Sequence, residues 1–256
     1  MIHLQPLPGS PRYEGSLEVV LARARDEAQL LVEEGVDGLM VENFGDAPFY
    51  PDEVPPITIA AMTRAVSEVI ESTAVPVGVN VLRNDGRSAI AIAAATGAQF
   101  IRVNVLTGAT VTDQGLLQGR AHDIARLRAQ FAPEVAIFAD VRVKHGRPLA
   151  EFSLADEIAD LVERGGADAV LLTGARTGEP PDLEFLAEAR RAARGARLWI
   201  ASGASRENVA QLAGKADGAI VGTSWKRDGE TTGPIDRSRV RAFLQAAQGK
   251  PAGGRR

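Results

Sequence analysis

Apolar residues along this chain fall in short runs of four to eight, separated by longer stretches in which they recur at helical spacing. That alternation predicts strand–helix units around a parallel sheet. Strands are expected near residues 1–5, 36–43, 76–82, 99–105, 136–143, 167–173, 198–203 and 218–223. Helices are expected near 16–34, 57–72, 86–96, 120–131, 153–165, 182–194, 205–213 and 236–247.

Helix boundaries carry matching chemistry. Ser153 and Asp156 are spaced as a capping box, in which a hydroxyl and a carboxylate satisfy free N–H groups of the first turn. Pro55 and Pro56 precede the second helix, where a missing N–H costs little. Gly35, Gly97, Gly166 and Gly214 follow helices, where a left-handed residue satisfies terminal carbonyls.

Eight strand–helix units without a dividing linker predict an α/β fold, a single-domain TIM-type (β/α)8 barrel over residues 1–248, with 249–256 as a disordered tail. An open doubly wound sheet uses the same units, but no Gly-x-Gly-x-x-Gly follows the first strand. In a barrel all strand C-terminal ends meet on one face. Here those tips read Gln5, Glu42–Asn43, Asn80, Arg102 with Asn104, Asp140, Thr173–Gly174, Ser202–Gly203 and Gly222–Thr223–Ser224. Two long connections, residues 44–56 and 106–119, leave the same face, and long loops in compact domains tend to be lids or binding loops.

Alternation along the fourth predicted strand puts Phe100, Arg102 and Asn104 on one side and Ile101, Val103 and Val105 on the other. The polar set is expected to face the barrel interior. There Arg102 needs an anionic neighbour, either a ligand or Glu42 or Asp140. In the fifth, Phe138, Asp140, Arg142 and Lys144 share a side; Asp140 is an acid/base candidate or a counter-ion for Arg102. Lys144 and His145 reach the mouth, where a lysine neutralises phosphate, forms a Schiff base if desolvated, or is a plain surface charge. Ser202, Gly203, Ala204, Ser205, Gly222 and Thr223 form small-residue turns after the last two strands. Such turns present backbone N–H groups to a phosphate, or are simply tight. Phe44, Phe49 and Tyr50 are three of ten Phe and Tyr residues, gathered on one loop for base stacking or a subunit contact. Asn43, Asn80, Asn104, Asp113 and Thr173 add groups that could hold sugar hydroxyls, although turns alone favour Asn and Asp.

Composition narrows the partners. Net charge is -4 and the basic residues are scattered, so nucleic acid is not an expected partner. The longest uncharged run, residues 88–101, has 14 residues, short of the roughly 18 needed for a membrane span. No targeting signature is evident in the first residues, and a cytoplasmic protein that does not insert into membranes is expected. Absent cysteine excludes disulfides and thiolate sites. The histidines, His3, His122 and His145, form no spaced pair for zinc; Glu42, Asp46, Asp85, Asp113 and Asp140 would suit Mg²⁺, yet no metal ligand is assigned. A homo-oligomer is compatible with the loop aromatics.

Seven stretches together resemble the BtpA family, which includes the SgcQ group: HLQPLPG (3–9), VENFGDAPF (41–49), GVNVLRND (78–85), FIRVNVLTG (100–108), TDQG (112–115), DVRVKH (140–145) and GTSWKRDG (222–229). The resemblance implies a TIM-barrel-like fold. The family name implies a role in photosystem I biogenesis, although members occur in organisms without photosynthesis, and the wider family implies ribonucleoside phosphorylase activity. Three readings follow. The first is a nucleoside-phosphorylase-like pentosyltransferase with inorganic phosphate as co-substrate. It has Asp140, Glu42 and Lys144 as catalytic candidates, Asn43, Phe44, Asn80, Arg102, Asn104, Asp113 and Thr173 on the substrate, and Ser202, Gly203, Ala204, Gly222 and Thr223 on phosphate. The second is a phosphosugar isomerase or aldolase using Lys144. The third is a non-enzymatic assembly factor for a membrane complex, which calls for an exposed apolar patch.

Overall fold

The computed structural model describes residues 1–150, 152–174, 182–193 and 195–249. In chain order its elements are β1 (Ile2–His3), α1 (Leu17–Glu33), β2 (Leu39–Glu42), α2 (Pro56–Ser72), β3 (Val77–Asn80), α3 (Gly86–Thr96), β4 (Phe100–Val103), β5 (Ala109–Thr112), β6 (Gly115–Gln118), α4 (Ala121–Phe131), β7 (Ala136–Val141), β8 (Arg147–Pro148), α5 (Leu154–Ala159), β9 (Ala169–Leu172), α6 (Leu183–Ala192), β10 (Arg197–Ile200), α7 (Val209–Leu212), β11 (Gly218–Ala219) and α8 (Arg237–Ala247). Eight strands pair in parallel in the order β1-β2-β3-β4-β7-β9-β10-β11. The curled sheet brings its ends together: the Met1 nitrogen donates to the Val221 carbonyl at 2.8 Å. The fold is the expected α/β barrel.

Alternation divides the barrel into two kinds of packing. Outward residues such as Val41, Val79, Ile101, Val103, Ile137 and Val170 are buried in the main core beneath the helices. Inward, the floor is aromatic: Phe100 stacks on Phe138 at 5.0 Å between centroids, and Phe138 meets Trp199 at 5.2 Å. Two glycines make this floor fit. A Cβ at Gly78 would stand 2.2 Å from the Phe100 ring, and one at Gly218 would stand 2.8 Å from Trp199. Polar inward residues come later on the same strands, above the floor.

The helix signals hold. Gly35, Gly97, Gly166 and Gly214 all take positive φ, between 71° and 93°. The Ser153 hydroxyl accepts from the Asp156 amide at 3.1 Å. The Asp156 carboxylate, however, takes the Ser153 hydroxyl at 2.6 Å rather than the cap amide, so the box closes on one side only.

Three expectations are corrected. The connection 106–119 is not a plain loop: β5 and β6 form an antiparallel hairpin, and β8, from the connection after β7, joins it as a third strand. Its buried side rests on a small cluster of Val105, Leu117 and Val143. The helix expected over 153–165 changes at Asp160 into a π-helical turn, Asp160–Arg164. The one expected over 205–213 shrinks to α7, because Asn208 caps the preceding turn instead: its Oδ1 accepts from the Ser205 amide at 2.9 Å. Of the expected tail, only Gly249 lies among the described residues.

Candidate active site at the barrel mouth

A cavity of about 580 Å³ opens at the C-terminal ends of the strands. Glu42, Phe44, Arg102, Asn104, Asp113 and Lys144 line it, as do Ser202, Gly203, Ala204, Gly222 and Thr223. The strand tips therefore converge as barrel geometry requires.

Its floor is an ion-pair network. Arg102 donates from Nε to Asp140 Oδ2 at 2.8 Å and from Nη2 to Oδ1 at 2.9 Å, the bidentate geometry that fixes a guanidinium plane. Asn104 donates to the same Oδ2 at 3.2 Å, and Asn80 donates to Asn104 Oδ1 at 3.2 Å. The remaining Arg102 nitrogen, Nη1, stands 3.9 Å from Glu42 Oε2. Asp140 thus serves as the counter-ion of Arg102: its side chain is fully buried and absent from the cavity wall. Of the two readings of Asp140, acid/base or counter-ion, its contacts are those of the counter-ion.

Glu42 is the buried acid that faces the cavity. Burial pushes its carboxyl above the ordinary range, with Arg102 opposing only in part. His3 lies at 3.6 Å from it and is held neutral by burial and by the nearby Lys226 charge. The His3 ring packs on Phe44 at 4.8 Å, and Phe44 approaches Phe49 at 6.3 Å. The loop aromatics thereby split. Phe44 and Phe49 line the cavity, whereas Tyr50 is exposed.

Beside His3 and Glu42 stands a wall of backbone. Gly203 takes φ 82°, a left-handed conformation. Asn208 clamps this turn by donating to the Gly203 carbonyl at 2.8 Å. Ser224 donates to the Ala204 carbonyl at 2.9 Å, stitching the two turns together. The amides of Gly203, Ala204, Thr223 and Ser224 donate to no acceptor among the described residues. Gly222 has no room for a side chain, since a Cβ would meet His3 Cε1 at 2.8 Å. Behind this wall, buried Lys226 binds Glu27 of α1 at 2.7 Å, and Glu27 also accepts from Arg23 at 3.2 Å.

Several expected site residues do other work. Asn43 accepts from the Leu82 amide at 2.7 Å and donates to Asp46 at 3.1 Å. Its polar atoms are consumed in joining two loops. Asn80 is buried beneath the network, and Thr173 donates to the Arg142 carbonyl at 3.2 Å. None of the three lines the cavity. Arg142 leaves the interior altogether: β7 ends at Val141, Arg142 takes φ 54°, and its guanidinium pairs with Glu157 at 2.8 Å. Lys144 reaches the cavity through this turn rather than by strand alternation.

His3 and Thr231 also line the cavity but were not expected there, and Arg83 and Gln114, from stretches expected to offer polar groups to a sugar, line it too. For His3 the signal was parity, because it pairs in register with Glu42. The others sit on loops, where no periodicity points inward. Among the described residues no group of three His, Asp or Glu side chains is placed to hold a metal, and no helix is long and apolar enough to cross a membrane.

The family model for the BtpA family matches residues 1–249. Photosystem I biogenesis protein BtpA of Synechocystis sp. is 50% identical over 246 residues, 96% of this chain and 86% of that protein. An uncharacterized protein of Thermococcus kodakarensis is 44% identical over 248 residues, covering 97% of this chain and 94% of the relative. Among solved structures, N-(5'-phosphoribosyl)anthranilate isomerase from Pyrococcus furiosus superposes with a TM-score of 0.57 at 20% identity, over 88% of this chain and 94% of that one. At that identity the likeness is one of fold.

Proposed function

This chain belongs to the BtpA family, and on that premise we propose that its mouth cavity is the active site of a barrel enzyme acting on a phosphorylated or phosphate-accepting sugar. Most concretely, it transfers a pentosyl group from a nucleoside to inorganic phosphate. One observation carries this reading: backbone amides with no acceptor among the described residues share the cavity with an acid whose pKa is raised.

The amides of Gly203, Ala204, Thr223 and Ser224 cradle the phosphate without any side chain holding it away. Phosphate oxygen attacks the anomeric carbon as the C–N bond breaks, and that electron pair leaves on the base nitrogen. Glu42, whose carboxyl burial pushes above the ordinary range, donates the proton that neutralises the leaving base. Arg102, fixed by Asp140, sets charge beside Glu42. Phe44 and Phe49 offer ring faces to the base.

Phosphate-dependent base release from a panel of ribonucleosides tests this directly. The expected result is release that requires phosphate and falls sharply in Glu42→Gln. No release from any nucleoside at saturating phosphate would overturn it. Covalent capture of a carbonyl substrate at Lys144 by borohydride would instead support the aldolase reading.

A second reading, an assembly factor, draws on the name of the Synechocystis relative. One structural observation favours it. Val111 and Leu116 pair across the hairpin on its outer face and are exposed, as are Leu149 and Phe152 beside β8. Cavity variants would leave such a role intact.

A further inference from the structure

The cradle is not the only part of the cavity suited to an anion. Arg83, in the connection after β3, and Lys144, after β7, both line it and are half-buried. Arg83 donates from Nη2 to the Lys144 carbonyl at 2.6 Å, which locks the two loops together. Neither cation forms an ion pair among the described residues. Asp140 is spent on Arg102. Burial lowers the pKa of both groups, and for Lys144 the Arg102 charge lowers it further. The backbone around Lys144 is strained as well: Arg142 and His145 take φ 54° and 61°, and such left-handed non-glycine residues persist where the surroundings or function hold them. Two cations without a direct ion-pair partner among the described residues, on which Glu42, Asp113 and Asp140 act only from a distance, are costly in a part-buried cavity unless an anion joins them.

Topology gives their position. In the strand order β1-β2-β3-β4-β7-β9-β10-β11, Arg83 and Lys144 flank β4, while the cradle follows the adjacent strands β10 and β11. Around a ring of eight, these two loci lie across the barrel from each other.

We infer that Arg83 and Lys144 form a second anion subsite, and that the sugar substrate carries an anionic group, a phosphate or a carboxylate, in addition to the phosphate held by the cradle. The inference rests on the cradle part of the proposed function. In the glycosyl-transfer reading it makes the donor a nucleoside 5'-phosphate class compound rather than a free nucleoside, with co-substrate phosphate and donor phosphate at opposite walls.

Calorimetric titration of the full chain with inorganic phosphate, ribose 5-phosphate, ribose 1,5-bisphosphate and 5-phosphoribonate tests it without requiring turnover. Both doubly anionic ligands, or one of them, should bind at least tenfold more tightly than ribose 5-phosphate, and the better one identifies the second group as phosphate or carboxylate. Arg83→Met with Lys144→Met should erase that advantage while leaving ribose 5-phosphate within about threefold, with a cooperative melt showing that the double variant is folded. Gly203→Val should weaken all four ligands. Equal affinity for singly and doubly anionic ligands in the unmodified protein would overturn the inference, as would an advantage that survives the double variant. Loss of ribose 5-phosphate binding in the double variant alone, with Gly203→Val unaffected, would show that the cations serve the only phosphate site and would also overturn it. Because binding is the readout, absent phosphorolysis would refute the proposed reaction and leave this result standing.

Discussion

Glu42 shows how one residue's surroundings decide its chemistry. Its partner across the register, His3, is neutral, and the nearest Arg102 nitrogen is 3.9 Å away and already oriented by Asp140. The carboxyl therefore keeps its proton to higher pH than an exposed glutamate. If it is the acid that protonates the leaving base, kcat should be full at low pH and fall as pH rises through the raised value. Glu42→Gln should flatten that limb and lower kcat by roughly 10²–10⁴-fold. A pH profile unchanged in the variant would assign the proton elsewhere. The same shift acts on stability. The folded state binds the proton more tightly than the unfolded chain, so the contribution is complete below the ordinary carboxyl range and is lost as pH rises through the raised value.

At the scale of elements, the barrel floor and the hairpin teach opposite lessons. Phe100 and Arg102 were assignable to the interior because β-strand parity is rigid, and the same parity explains why Gly78 on the neighbouring strand has no side chain. Gly78→Ala should cost about 1–3 kcal/mol through overpacking, measured by urea denaturation. Phe100→Leu in the same chain should recover part of the loss. Recovery of none would mean the strain is not against that ring. Parity stopped being a guide where strands end. It placed Arg142 inside, yet a left-handed turn at that residue sends its guanidinium out to Glu157 and brings Lys144 in. The hairpin was hidden for a related reason. Residues 109–118 are short, mixed in polarity and paired with β8 from a distant connection, so nothing local announces the sheet. Asn43 and Thr173 were misread because a polar side chain at a strand tip can equally tie loops together, and only its hydrogen-bond partners show which it does.

For the whole molecule, ligand binding and stability are one equilibrium. Phosphate held by the folded chain and not by the unfolded one should stabilise it by about 2.7 kcal/mol at a hundredfold excess over Kd. For a chain of this size that is roughly 5–10 °C in Tm. A thermal melt in phosphate against chloride at matched ionic strength measures this, and coincident melts would mean the cradle does not bind.

Glu27 and Lys226 lie 199 positions apart in the chain. Vectorial synthesis on a ribosome delivers the carboxylate long before the amine that it meets behind the cradle. Until then α1 has a glutamate and no lysine to receive it, and the first strand lacks the last as its neighbour. The proposed cradle is consequently unsupported until residue 226 has been made, however well the early strand–helix units have formed.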